Sequence, residues 1–152
     1  MSSGGELGGR PFTQEEAEGY FRRLKNSGCS CIRFALPWKA VEREEGAYDE
    51  DYLAYLRKIF VAADGQELPV FIDSRGGGAG KELRGGEGAE RIRERYLEAL
   101  RHAYRRLKNC KAIEGWAIPD GLGDEFVQRF TRRMREVNPK LRIFTNDIPG
   151  AS

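Results

Sequence analysis

Apolar residues recur along this chain with two alternating periods. Ala17, Tyr20, Phe21 and Leu24 fall at i, i+3, i+4 and i+7, the spacing of one helix face. Thr13 and Glu16 form a T-x-x-E capping box at its start, and Asn26-Ser27-Gly28 supplies a stop in which Gly28 suits a left-handed cap. The run "CSCIRFALPW" then reads as a strand. Its Ile32, Phe34 and Leu36 point toward the helices, and its Cys29, Cys31, Arg33 and Ala35 point the other way.

The same unit returns three times. A helix opens at Asp49, a good N-cap, carries Tyr52, Leu53, Leu56, Ile59 and Phe60 inward, breaks at Asp64-Gly65 and leads to "LPVFID". A longer helix, from about Ala89 to Lys108, turns Ile92, Tyr96, Leu100, Ala103, Tyr104 and Leu107 inward and leads to "AIEGWAI". The last begins near Asp124, buries Phe126, Val127, Phe130, Met134 and Val137, stops at Asn138-Pro139 and leads to "LRIFT". Helices alternating with short apolar strands imply parallel pairing, because each crossover returns the chain to the same end.

The expected fold is therefore α/β: a parallel sheet of about four strands alternating with helices, either an open sheet or one arc of a (β/α) barrel. Residues 11–147 form that domain, with a disordered tail over 1–10 and a second tail over 148–152. In both architectures ligands bind at the carboxyl ends of the strands. Those ends are Pro37-Trp38, Asp73-Ser74-Arg75, Pro119-Asp120 and Asn146-Asp147. Three of them carry an acid.

Charge narrows the function classes. The 26 basic and 24 acidic side chains of the 152-residue chain nearly cancel, to a net +2. A nucleic-acid partner is not expected from that balance. Arginines do gather on the last two helices, from Arg91 to Arg106 and from Arg129 to Arg135, but Glu90, Glu94, Glu98 and Glu136 interleave with them, as on a solvated helix face. His102, between Arg101 and Arg105, reads as solvated. Cys29, Cys31 and Cys110 have neither a CxxC pairing nor a histidine partner, so no metal, cofactor or disulfide framework is expected, and they read as small buried apolar residues. No run has the length of a membrane span, and "MSSGGELGGR" has no apolar signal core. A cytoplasmic protein is the default expectation, and a secreted one if the natural N-terminus is longer.

The glycine-rich "SRGGGAGKELRGGEG" invites a phosphate-loop reading, which the spacing refuses. A G-x-x-x-x-G-K-[ST] match ending at Gly80-Lys81 needs a glycine where Arg75 stands and a hydroxyl where Glu82 stands. The segment reads as a flexible loop.

One stretch is more specific. In "IRFALPWKAVEREEGAYDEDYLAYL", Ile32, Arg33, Trp38, Val41, Glu42, Gly46, Tyr48 and Asp49 occupy the positions of an Ile-Arg strand followed by W-x-x-[IV]-E-x-x-x-G-x-Y-D. With "LPVFID", "AIEGWAI" and "FVQRFTRRMREVNPKLRIF" after it, the order resembles glycoside hydrolase family 5, the cellulase- and endoglycosylceramidase-like (β/α)8 barrels of clan A. The resemblance runs from about Gly9 to Asp147 and places these strands as the second to fifth of the barrel.

The resemblance implies hydrolysis of O-glycosyl bonds by two glutamates, with carboxyls about 5–5.5 Å apart in a retaining enzyme. The acid/base residue follows an asparagine after the fourth strand. Here Asp120 stands at the asparagine position and Gly121 at the glutamate position. Arg75 stands where the family has a histidine after Asp73, and the nucleophile belongs to a seventh strand. The chain therefore reads as a truncated or catalytically impaired member, with Asp120 and Asp73 as the remaining catalytic candidates. Arg33, Trp38, Trp116 and Arg75 are the substrate-binding candidates: Arg33 as an anion holder or the buried partner of Asp73 or Asp120, and the indoles as a sugar platform or as core. A non-catalytic carbohydrate-binding or scaffolding module is the alternative, and a hydrolase using Asp73 with Asp120 a further one. The expected partner is a carbohydrate or glycoconjugate. Four strands do not close a barrel, so the inner face needs a flattened sheet, a partner, or a homodimer of half-barrels.

Overall fold

The computed structural model describes residues 13–146, together with the short antiparallel pair β1 (Glu6–Leu7) and β2 (Arg10–Pro11). That pair falls within and beside the tail expected over 1–10. Helix α1 (Gln14–Asn26) begins as the capping box requires: the Thr13 side chain accepts from the Glu16 N–H, and the Glu16 carboxylate accepts from the Thr13 N–H.

Strand β3 (Ile32–Ala35) is shorter than the apolar run that encodes it, because Pro37 starts a one-turn helix, α2 (Trp38–Val41). A small hairpin of β4 (Glu42–Glu44) and β5 (Ala47–Tyr48) leads into α3 (Glu50–Gly65), capped by Asp49 accepting from the Tyr52 N–H. Strand β6 (Val70–Asp73) follows. The glycine-rich segment expected as a flexible loop contains a helix, α4 (Ala79–Leu83), because Ala79 and Leu83 are apolar enough to be drawn into the core. Helix α5 (Ala89–Leu107), β7 (Ile113–Ala117), α6 (Asp124–Val137) and β8 (Arg142–Phe144) complete the described chain.

The four long-range strands pair in the order β3-β6-β7-β8, all parallel. The expected four-stranded parallel α/β sheet is the one observed. Neighbouring helices follow the strand order, α1 on α3, α3 on α5 and α5 on α6. One face of the sheet therefore carries the main core. Its rows include Phe34–Ile72–Trp116–Ile143, set against Phe60, Tyr96, Tyr104 and Phe130 from the helices.

The opposite face holds two in-register rows, Arg33–Phe71–Gly115–Arg142 and Ala35–Asp73–Ala117–Phe144. On β3 this face is open, as the alternation implied: Arg33 and Ala35 are exposed while Ile32 and Phe34 are buried. Over β6 and β7 it is not. Phe71 and Ala117 are buried in a second small cluster, and the Phe71 and Phe144 rings meet edge-on at 6.0 Å. The rings converge over Gly115, where a β-carbon would stand 2.7 Å from Phe71 and 2.8 Å from Phe144. The Arg142 guanidinium lies over both rings.

Two expectations about single residues change here. Cys29 and Cys31 are half-buried rather than buried, because they sit at the open end of β3, while Cys110 is buried as expected. His102 is half-buried rather than fully solvated: it stacks on Tyr48 at 4.3 Å, and its Nε2 lies 2.7 Å from the Glu50 carboxylate. The arginines of α5 and α6 interleave with glutamates, as their sequence spacing implied. Arg129 pairs with Glu90, Arg133 with Glu94 and Glu98, and Arg101 with Glu98 and Glu136.

Candidate functional site

The carboxyl ends of β6, β7 and β8 surround a cleft of about 480 Å³ lined by Arg75, Gly80, Lys81, Arg84, Pro119, Asp120, Thr145 and Asn146. Its floor is the end of β6. Asp73 accepts from Arg75 at both carboxylate oxygens, 2.9 Å to Nε and 2.9 Å to Nη2, and also from the Arg75 backbone N–H. The third arm of the same guanidinium donates to the Asn146 carbonyl, so one side chain ties the end of β6 to the segment after β8. Desolvation pushes the Asp73 carboxyl upward, but the Arg75 hydrogen bonds and the charges of Arg75 and Arg33 outweigh it. The net direction is down, so Asp73 is held as a carboxylate.

Arg33 was expected as a possible buried partner of Asp73 or Asp120. It does pair with Asp73, at a loose 3.8 Å, but its side chain is 44% exposed. It sits on edge strand β3, where no neighbouring strand covers it.

The rim on the β7 side is built by Arg84. Its Nη1 donates to the Asp120 carbonyl at 2.9 Å and lies 3.8 Å from the Asp120 carboxylate, which is 82% exposed. Gly121 has φ 74°, and a β-carbon there would stand 3.2 Å from the Arg84 side chain. The positive φ favours glycine at this point, and a larger side chain would also have to move Arg84. Asp73 and Asp120 are thus each paired to a different arginine. Among the described residues no carboxylate is recorded as the partner of either.

Of the two readings of the indoles, platform or core, burial selects the core. Trp116 is fully buried, and its N–H donates to Ser74 Oγ at 3.0 Å while Tyr96 donates to the Ser74 carbonyl. Trp38 is 3% exposed and belongs to α2, not to a strand end. Its N–H donates to the buried Glu42 carboxylate at 2.8 Å. The other Glu42 oxygen accepts from the Gly46 N–H at 2.8 Å. Arg95 closes the group at 3.2 Å and lies over the Trp38 ring. The W-x-x-V-E-x-x-x-G stretch is therefore a knot on the helix side of the sheet. It holds α2 and the β4–β5 hairpin against α5 and stands apart from the cleft.

Sequence reasoning missed Lys81, Arg84 and Thr145 as cleft residues. Lys81 and Arg84 lie in the glycine-rich segment, where the helical spacing of Ala79 and Leu83 was the available signal. Asp147, one of the strand-end acids, lies outside the described residues. Among those residues no group of histidines, cysteines and carboxylates has the arrangement of a metal site, and no helix is long and apolar enough to cross a membrane.

No family model matches the chain. Part of it is similar to fungal glucosylceramidases. It is 45% identical to that of Cryptococcus neoformans over 65 residues, 42% of this chain and 9% of the relative. It is 33% identical to that of Aspergillus fumigatus over 82 residues, 53% of this chain and 11% of the relative. The matched stretch thus spans about a tenth of the length of these curated relatives. Among solved structures, an endoglucanase from Pseudomonas stutzeri in complex with cellobiose superposes with a TM-score of 0.69 at 21% identity, covering 92% of this chain and 44% of that one. Endo-glycoceramidase II from Rhodococcus sp. superposes with a TM-score of 0.66 at 17% identity, covering 89% and 45%. The chain shares the fold of these glycoside hydrolases as a partial (β/α) barrel, and over its matched stretch it shares sequence with the glucosylceramidases.

Proposed function

We propose that this glycoside-hydrolase-like chain binds a carbohydrate or glycoconjugate in the cleft at the carboxyl ends of β6, β7 and β8, and does not itself hydrolyse it. The observation that carries this reading is at Gly121. The position where the resemblance expects a catalytic glutamate holds a left-handed glycine, and the Arg84 side chain occupies the adjoining space. Retaining hydrolysis needs one carboxyl to hold a proton for the leaving group and another to attack the anomeric carbon, about 5–5.5 Å away. Asp73 is bound on both oxygens by Arg75 and kept deprotonated, so it has no proton to give to a leaving group. Asp120 sits at the exposed rim beside a cation.

What remains is a polar concave site on rigid strand ends, suited to hydrogen-bonding sugar hydroxyls. The reading is tested by NMR titration of the chain with cello-oligosaccharides and a soluble glucosylceramide analogue, alongside release assays on the same compounds. The expected result is shifts confined to Lys81, Arg84, Thr145 and Asn146 with no turnover. Turnover abolished by Asp120→Asn would overturn it in favour of an Asp73–Asp120 hydrolase.

The same reading includes association of two copies as half-barrels. Its support is the exposed inner face of β3 and the two sheet edges, β3 and β8. Sedimentation is expected to give twice the chain mass, and a monomer would remove that part.

A further inference from the structure

We propose that this cleft selects an anionic saccharide, a sugar ring bearing a carboxylate, sulfate or phosphate group, over its neutral counterpart. The proposal rests on the carbohydrate-binding reading above and names the chemical class of its ligand.

The charges around the cleft are the first support. Arg75, Lys81 and Arg84 line it, and among the described lining residues Asp120 is the one acid, with Asp73 bound to Arg75 beside them. The charge of Asp73 is absorbed by Arg75, which binds both of its oxygens. Asp120 compensates Arg84 weakly, because the pair is 3.8 Å apart and the carboxylate is 82% exposed to water. Lys81 is exposed and has no ion-pair or hydrogen-bond partner among the described residues. An incoming anion therefore meets a lysine and most of an arginine that the protein leaves uncompensated.

The second support is the lack of a stacking surface. Among the described residues no aromatic side chain lines the cleft, and Trp38 and Trp116 are both in the core. A neutral pyranose gains much of its affinity from its apolar face lying on an aromatic ring, and that term is missing from this cleft. Charge-assisted hydrogen bonds are left as the main source of affinity.

The third support is rigidity. The Arg75 guanidinium is fixed by Asp73 and the Asn146 carbonyl, and Arg84 by the Asp120 carbonyl. The α4 helix carrying Lys81 is anchored by buried Ala79 and Leu83 and by the Lys39–Glu82 ion pair at 2.5 Å. The two guanidiniums, held in place before binding, lose less freedom when the ligand arrives, and Lys81 closes on it from an anchored helix.

Calorimetric titration of the full chain with methyl glucoside, methyl glucuronide, the 6-sulfate and 6-phosphate of methyl glucoside, and inorganic phosphate tests this. At least one anionic sugar is expected to bind about tenfold tighter than the neutral one, the equivalent of one charge-assisted contact. That sugar should also bind tighter than inorganic phosphate, and its advantage should shrink as salt rises. Lys81→Ala and Arg84→Ala should each remove most of the advantage while the circular dichroism spectrum is unchanged. The carboxylate, sulfate and phosphate arms identify which group is read. Equal binding of neutral and charged sugars overturns the selectivity and leaves the carbohydrate reading intact. Inorganic phosphate binding as tightly as any sugar, or no sugar binding at all, overturns both.

Discussion

Arg84 passes 3.2 Å from where a β-carbon would stand on Gly121, while its guanidinium donates to the Asp120 carbonyl beside it. The rim of the cleft is thus shaped around a glycine and an arginine. The backbone at Gly121 is in the left-handed region, and the Arg84 side chain lies in the adjacent volume.

Restoring the acid is accordingly expected to fail. In Gly121→Glu, a side chain at φ 74° costs about 1–2 kcal/mol, before Arg84 is displaced. Thermal denaturation should show a lower Tm, and assays on aryl glucosides should show no gain in turnover. A gain would mean that the cleft had kept its catalytic geometry.

Glu42 is 2% exposed and answers three donors, the Trp38 indole, the Gly46 N–H and Arg95. Glu42→Ala leaves Arg95 without its carboxylate and two N–H groups without an acceptor. The expected loss, read by urea denaturation, is about 3–5 kcal/mol. A change under about 1 kcal/mol would show that the knot closes with water in place of the carboxylate.

The Asp73–Arg75 pair predicts a pH dependence whose sign follows from its direction. The folded carboxyl lies below its ordinary value of 3.8, so the unfolded chain takes up the proton first as acid is added. The stability from the pair is fully present above 3.8 and is lost as pH falls through the lower folded value. Comparing the wild type with Arg75→Ala across that window, the gap in stability should be largest at neutral pH and close in acid. A gap that does not vary with pH would mean that Arg75 acts through packing alone.

Much of the fold was legible in the residues. Thr13 and Glu16, Asp49, and the apolar spacing of α5 and α6 are local signals, satisfied within one turn of chain, and the helices begin and end close to where they place them. The alternation of Ile32 and Phe34 with Arg33 and Ala35 also told which face of β3 would be buried. The site was less legible. Trp38 and Trp116 read equally well as platform or core, since an indole's position in sequence does not say which side of it other elements will cover. His102 read as solvated because its sequence neighbours are arginines, whereas Tyr48 and Glu50 meet it from elsewhere in the chain.

By itself, then, the sequence determined the alternating elements, their parallel pairing and the end of the sheet at which a ligand would sit. All of these follow from periodicity, capping and the geometry of a crossover. Only the tertiary structure decided what surrounds that end. Arg75 reaches across from β6 to Asn146, Arg84 from behind α4 to Asp120, and Phe71 across Gly115 to Phe144. Each relation joins residues distant in sequence, and its energy depends on distances and desolvation that exist only once the strands have been brought side by side.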